Sequence, residues 1–266
     1  MKQPLKLASL MSENEDFIFD GLARYIQDRT NNTVQVIGQI PWRERERLLD
    51  AGEIDIAWIC GLPYILRADR PHPGIELLAA PVMPGRRYHN QPIYFSDVVV
   101  HHGSRFYEFA DLQGASWAYN ERNSHSGYNV VRYHLATLGR TAGYFGKVIE
   151  SGSHLASLRM ILQKEVDAAA IDSIILEIEL QHRPELKSEL RVIDTLGPSP
   201  VPPLVISKKL PSETREAIRD WLVNMDADDA GRAALANIRL ARLARVRDSD
   251  YDAIRSMYRQ AKDVTL

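Results

Sequence analysis

The chain has one cysteine in 266 residues, Cys60, which excludes an internal disulfide and a cysteine-built metal site. No apolar run is long enough to cross a bilayer, so direct membrane insertion is not expected. A surplus of either charge is also missing. Thirty-three Lys+Arg against 35 Asp+Glu leave a formal charge of −2, without the basic excess of a nucleic-acid-binding domain. The one local basic cluster, Arg239, Arg242, Arg245 and Arg247, has the spacing of a solvated face. The apolar stretch from Leu5 to Met11 is too short for the core of a signal peptide, and acidic residues follow it. The expectation is a chain that stays in the cytosol, or one from which an export signal has been removed. No metal and no cofactor are expected.

What remains is the composition of an ordinary globular protein, 45% apolar and 26% charged, at a length that suits two lobes or one large domain. Strand-like and helix-like segments alternate. Leu5 to Leu10 precedes a helix with Ile18, Leu22, Tyr25 and Ile26 on one face. Thr33 to Gly38 precedes the charged helix Arg43 to Ala51, closed by Gly52, and then come Ile54 to Ile59 and Ile75 to Val82. Such alternation predicts an α/β fold with mostly parallel sheets flanked by helices, in which ligands bind beyond the carboxyl ends of strands. The Pro198–Pro203 segment reads as a return connection, because proline stiffens it and stops a helix. Beyond it are expected a strand, Leu204 to Ser207, and three helical stretches. The last of these carries Tyr251, Ile254 and Tyr258 as a packing face.

Asn123-Ser124-His125-Ser126-Gly127 is the most informative stretch. The segment Ala115 to Tyr119 reads as a strand, and Tyr128 to Leu138 carries Val131, Leu135 and Leu138 at helical spacing before Gly139. Ser124 and Ser126 therefore fall at a helix start, where unpaired N–H groups and the positive end of the macrodipole favour an oxyanion. A serine there is equally an ordinary N-cap.

A short internal repeat points to two similar halves. Arg47-Leu48-Leu49 precedes Glu53-Ile54-Asp55-Ile56-Ala57, and Arg159-Met160-Ile161 precedes Glu165-Val166-Asp167-Ala168-Ala169, at a constant offset of 112 residues. It makes Trp42 equivalent to His154, each near a helix start, and Cys60 equivalent to Asp172, each just past a strand end.

These segments resemble, in order, the phosphate/phosphite/phosphonate-binding proteins of ABC importers, a branch of the type 2 periplasmic binding proteins. The likeness is carried by Glu53–Trp58, Gly61–Tyr64, Asp111–Gly114, Ser124–Gly127, Gly152–His154, Val166–Ala169, Pro198–Pro203 with Pro211–Glu213, and Asp248–Tyr251. The resemblance implies a two-lobed clamp with two crossovers. Lobe one would be residues 1–96 plus 200–266 and lobe two residues 97–199, with the ligand in the cleft between them. It implies a solute-binding protein, not an enzyme, that captures a small oxyanion for an ABC permease outside the cytoplasm. The matched ligand positions are Ser124, His125, Ser126, Gly127, His154, Trp42 and Tyr94, with Tyr64 lining the cleft.

The chain departs from the family at several points. His125 stands where threonine is usual, and either adds a positive charge or reshapes the pocket. Trp42 stands where tyrosine is usual. Ile174 stands where aminophosphonate-binding members have a carboxylate, with Asp172 nearby as the substitute. Two alternatives stay open: a thiaminase-like or pyrimidine-handling enzyme with Cys60 as nucleophile, or a cytosolic ligand sensor. His89, His101, His102, His134 and His182 lack convergent partners and read as surface or structural.

Overall fold

A computed structural model describes residues 3–11, 16–30, 32–38 and 40–266, with backbone alone at 16–18, so the side chain of Ile18 lies outside the described residues. The strands are β1 (Leu5–Ser9), β2 (Val34–Val36), β3 (Ile56–Trp58), β4 (Ile75–Val82), β5 (Ile93–His101), β6 (Ser116–Tyr119), β7 (Lys147–Glu150), β8 (Ala168–Asp172), β9 (Leu190–Pro200), β10 (Leu204–Ser207) and β11 (Arg242–Ala244). The helices are α1 (Asp16–Thr30), α2 (Trp42–Asp50), α3 (Gly61–Ala68), α4 (Val130–Thr137), α5 (His154–Leu162), α6 (Ser173–His182), α7 (Leu186–Glu189), α8 (Ser212–Val223), α9 (Asp229–Asn237) and α10 (Asp252–Gln260).

Two compact units form, Met1–Ile93 with Pro200–Tyr251, and Tyr94–Ser199 with Asp252–Leu266. The first holds the sheet β11-β4-β10-β3-β1-β2 and the second the sheet β7-β6-β8-β5-β9. Parallel pairs run through β2–β1–β3 and β7–β6–β8, while β10, β11 and β5 pair antiparallel with their neighbours. Both sheets are thus mixed, with the parallel part supplied by the β-α-β segments.

In the second unit, alternate residues of the central strands feed two separate cores. Val98, Val100, Trp117, Ala168 and Ala170 pack on one side. Val99, Ala118, Ala169 and Ile171 pack on the other. A sheet covered on both faces has no place for the polar half of an alternating pattern, which explains the unbroken apolar runs Val98–Val100 and Ala168–Ile171.

The repeat is visible in atomic detail. In the first unit the Asp55 carboxylate accepts the Lys6 N–H at 2.9 Å, while the Asp55 N–H donates to the Lys6 carbonyl. In the second unit Asp167 makes the same pair of bonds with Ser116. The preceding helices end alike, with Gly52 and Lys164 both at positive φ, and the Glu53 and Glu165 N–H groups both bonded five residues back.

The C-terminal segment departs from expectation. Residues 252–266 belong with the second unit, not the first, so the chain crosses between units three times rather than twice. Ile254 of α10 is fully buried, and α10 packs on α4. Arg132 of α4 donates to the carbonyls of Ala261, Lys262 and Val264 and ties the chain end down. Tyr258 is not part of that packing face: it is 38% exposed. The last 40 residues also contain β11, a strand hidden in the arginine cluster. Arg242 bonds Asn90 and Arg245 pairs with Asp220.

Candidate functional site

The helix after β6 begins earlier and wider than its apolar spacing predicts. His125–Asn129 form a π-helical turn that runs into α4, with the Asn129 N–H bonded to the Ser124 carbonyl five residues back. Ser124 is the N-cap, and its hydroxyl accepts the Gly127 N–H at 3.0 Å. Capping and ligand binding are therefore not alternatives here, since the capping oxygen still carries an O–H able to donate. The amides of this first turn have no carbonyl behind them within the helix, which leaves donors and a positive partial charge at the turn.

Ser124, His125, Ser126 and Gly127 are all buried. His154, the first residue of α5, joins them: its Nε2 lies 3.0 Å from Ser126 Oγ and 3.3 Å from the Asn120 amide nitrogen. Backbone bonds set this approach. The Ser151 and Gly152 N–H groups donate to the carbonyls of Tyr119 and Asn120, and Ser153 caps α5 through the Ala156 N–H. Gly127 is required by the closeness of packing. A Cβ there would stand 2.1 Å from Asn120 Oδ1 and 3.2 Å from the His154 ring. Asn120 is 4% exposed, and its Oδ1 has no hydrogen-bond partner among the described residues.

His125 does not supply positive charge. Its ring is fully buried, and desolvation pushes its pKa down to about 3, so it is neutral at physiological pH. Both ring nitrogens are engaged inside the unit. Asn129 Nδ2 faces Nδ1 at 3.1 Å, and Nε2 faces Ser199 Oγ at 2.9 Å. With the Asn129 amide in this orientation the ring proton sits on Nε2 and is donated to Ser199. Tyr94 is fully buried beside it, with its ring centroid 6.4 Å from that of His125.

The other candidates have partners of their own. Asp172 ends β8 and caps α6, accepting the Ile174 N–H at 2.8 Å. Trp42 and Tyr64 belong to the first unit. Trp42 opens α2, half-buried, with the Arg43 guanidinium 4.6 Å from its ring centroid. Tyr64 is buried, donates to Asp248 at 2.7 Å and meets the Tyr251 ring edge-on at 4.9 Å. Cys60 caps α3 through its backbone carbonyl, which accepts the Tyr64 N–H. His134 packs edge-on against Phe109 at 4.4 Å, and burial lowers its pKa, a structural role. Asn120, Asn129 and Ser199 escaped sequence reasoning. Only Asn120 carried a signal, its place just past the carboxyl end of β6. Among the described residues no group of three or more His, Cys, Asp or Glu could hold a metal.

Residues 11–251 match the family model described as ABC transporter, phosphonate, periplasmic substrate-binding protein. The chain is 26% identical over 193 residues to the phosphonates-binding periplasmic protein of Escherichia coli K12, a match covering 70% of this chain. It spans about half, 54%, of that curated relative's length. The fold is that of the binding-protein component of an ABC phosphonate transporter from Pseudomonas aeruginosa. That likeness has a TM-score of 0.84 at 21% identity and covers 98% of this chain and 87% of the other. It is also that of PhnD1 from Prochlorococcus marinus in complex with methylphosphonate, with a TM-score of 0.83 at 18% identity and 98% of both chains covered. That family is periplasmic and consists of binding proteins, not enzymes, which sets aside the Cys60 nucleophile. No helix among the described residues is long and apolar enough to cross a membrane. The chain belongs to the family of periplasmic substrate-binding proteins of phosphonate ABC transporters.

Proposed function

We propose that the protein binds a small phosphonate-type oxyanion at the Ser124–Gly127 turn and delivers it to an ABC permease. The observation that carries this reading is the meeting of two buried serines at a capped helix start with His154 from a second helix start. In this reading the amides of the turn and the Ser124 hydroxyl donate to the phosphonate oxygens, and His154 Nε2 holds Ser126 beside them. Recognition by neutral donors suits a tetrahedral anion, because a guest of the wrong shape leaves buried donors unpaired. Tyr94 supports the pocket from behind His125.

The ligand is one without an ammonium group, such as an alkylphosphonate or phosphite. Ile174 is buried and apolar, and Asp172 holds the backbone of α6. The test is calorimetry and thermal unfolding with methylphosphonate, phosphite, phosphate, 2-aminoethylphosphonate and a pyrimidine. A true ligand at a hundred times its Kd adds about 2.7 kcal/mol to stability. S124A/S126A should abolish that gain while the protein stays folded, and retained affinity in the double variant rules the assignment out.

A further inference from the structure

We propose that His125 is a positioning residue that couples the anion-binding turn to the two strands by which the chain enters and leaves the second unit. The inference rests on the proposed oxyanion site and extends it. The chain first enters this unit at Tyr94, on β5, and leaves it at Ser199, on β9, before it returns at Asp252. His125 meets both: its Nε2 is bonded to Ser199 Oγ, and its ring lies beside that of Tyr94. Its Nδ1 is bonded to Asn129, which closes the π turn back onto Ser124.

The residues on either side face other partners, Ser124 the Gly127 N–H and Ser126 the His154 ring. One planar ring therefore joins the turn that offers donors to the segments that connect the units. It cannot rotate without breaking two buried hydrogen bonds at once, so displacement of the turn is felt at Ser199 and displacement of Ser199 is felt at the turn. Ser199 is the last residue of the second unit before the chain passes into the first at Pro200.

Hydrogen exchange on the intact protein tests this, with methylphosphonate as the probe. Asparagine at 125 mimics only Nδ1 and glutamine only Nε2, so H125N keeps the Asn129 contact and H125Q keeps the Ser199 contact. Without ligand, S199A should speed exchange at residues 124–130 by about tenfold as well as at its own segment. With methylphosphonate, residues 194–200 should gain protection in the native protein and in H125Q, but not in S199A or H125N. Normal exchange at 124–130 in ligand-free S199A overturns the coupling, and so does ligand-linked protection of 194–200 in that variant. Equal behaviour of H125N and H125Q overturns it as well. Failure of the native protein to bind any phosphonate removes the proposed function alone, and the ligand-free comparison then decides the coupling.

Discussion

Acidification should unfold this protein partly through His125, and glutamine at that position should remove that part. The buried ring titrates near 3 in the folded state, against about 6.5 in an unfolded chain. Between those values the unfolded chain binds a proton that the folded one refuses, so acid favours unfolding. Above pH 6.5 both states are neutral and His125 contributes no pH dependence. Each pH unit below 6.5 removes about 1.4 kcal/mol, so the loss at pH 5 is about 2 kcal/mol, growing towards about 5 kcal/mol near pH 3. Denaturant unfolding at pH 7.5 and at pH 5 measures this as a difference of differences. The native protein should lose about 2 kcal/mol more than H125Q over that interval. The shift at His134 is common to both proteins and cancels. Equal losses would mean that His125 protonates readily in the folded state and that the ring is not held as described. The same neutrality means that phosphonate affinity should not change between pH 6.5 and 5 on account of His125, so a rise in affinity traceable to an imidazolium there would contradict it.

Four further outcomes are expected. Gly127→Ala forces a methyl against Asn120 Oδ1 and should cost about 1–3 kcal/mol by denaturant unfolding; a cost near zero would show that Asn120 moves aside freely. Ser124→Ala removes the cap and should cost about 1 kcal/mol, with threonine restoring most of it. Tyr64→Phe loses the bond to Asp248 and should cost about 0.5–1.5 kcal/mol while methylphosphonate affinity holds; weakened binding would bring Tyr64 into the ligand site. Arg132→Ala frees three C-terminal carbonyls and should make residues 252–266 the first segment removed by limited proteolysis, and an intact C-terminus would refute that anchoring role.

Local pattern alone identified much of this protein. The helix start at Ser124, its cap, the glycine at 127 and the repeat at an offset of 112 residues were all legible, because each is carried by short runs of neighbouring residues. The repeat paired Trp42 with His154 at helix starts, where α2 and α5 begin, and Cys60 with Asp172 just past strand ends; Asp172 is instead the last residue of β8, and both residues turn out to cap the helix that follows. Tertiary structure alone decided the partners across long separations. His125 is neutral because Ser199, 74 residues away, and the surrounding core enclose it, and no local feature announces that burial. Asn120 and His154 meet only because β7 lies beside β6. The last helix joins the second unit because Arg132 and α4 receive it, a long-range choice that amphipathic spacing in residues 252–260 does not encode. Periodicity states which face of an element is buried, while the neighbour that buries it is selected by the packing of the whole chain.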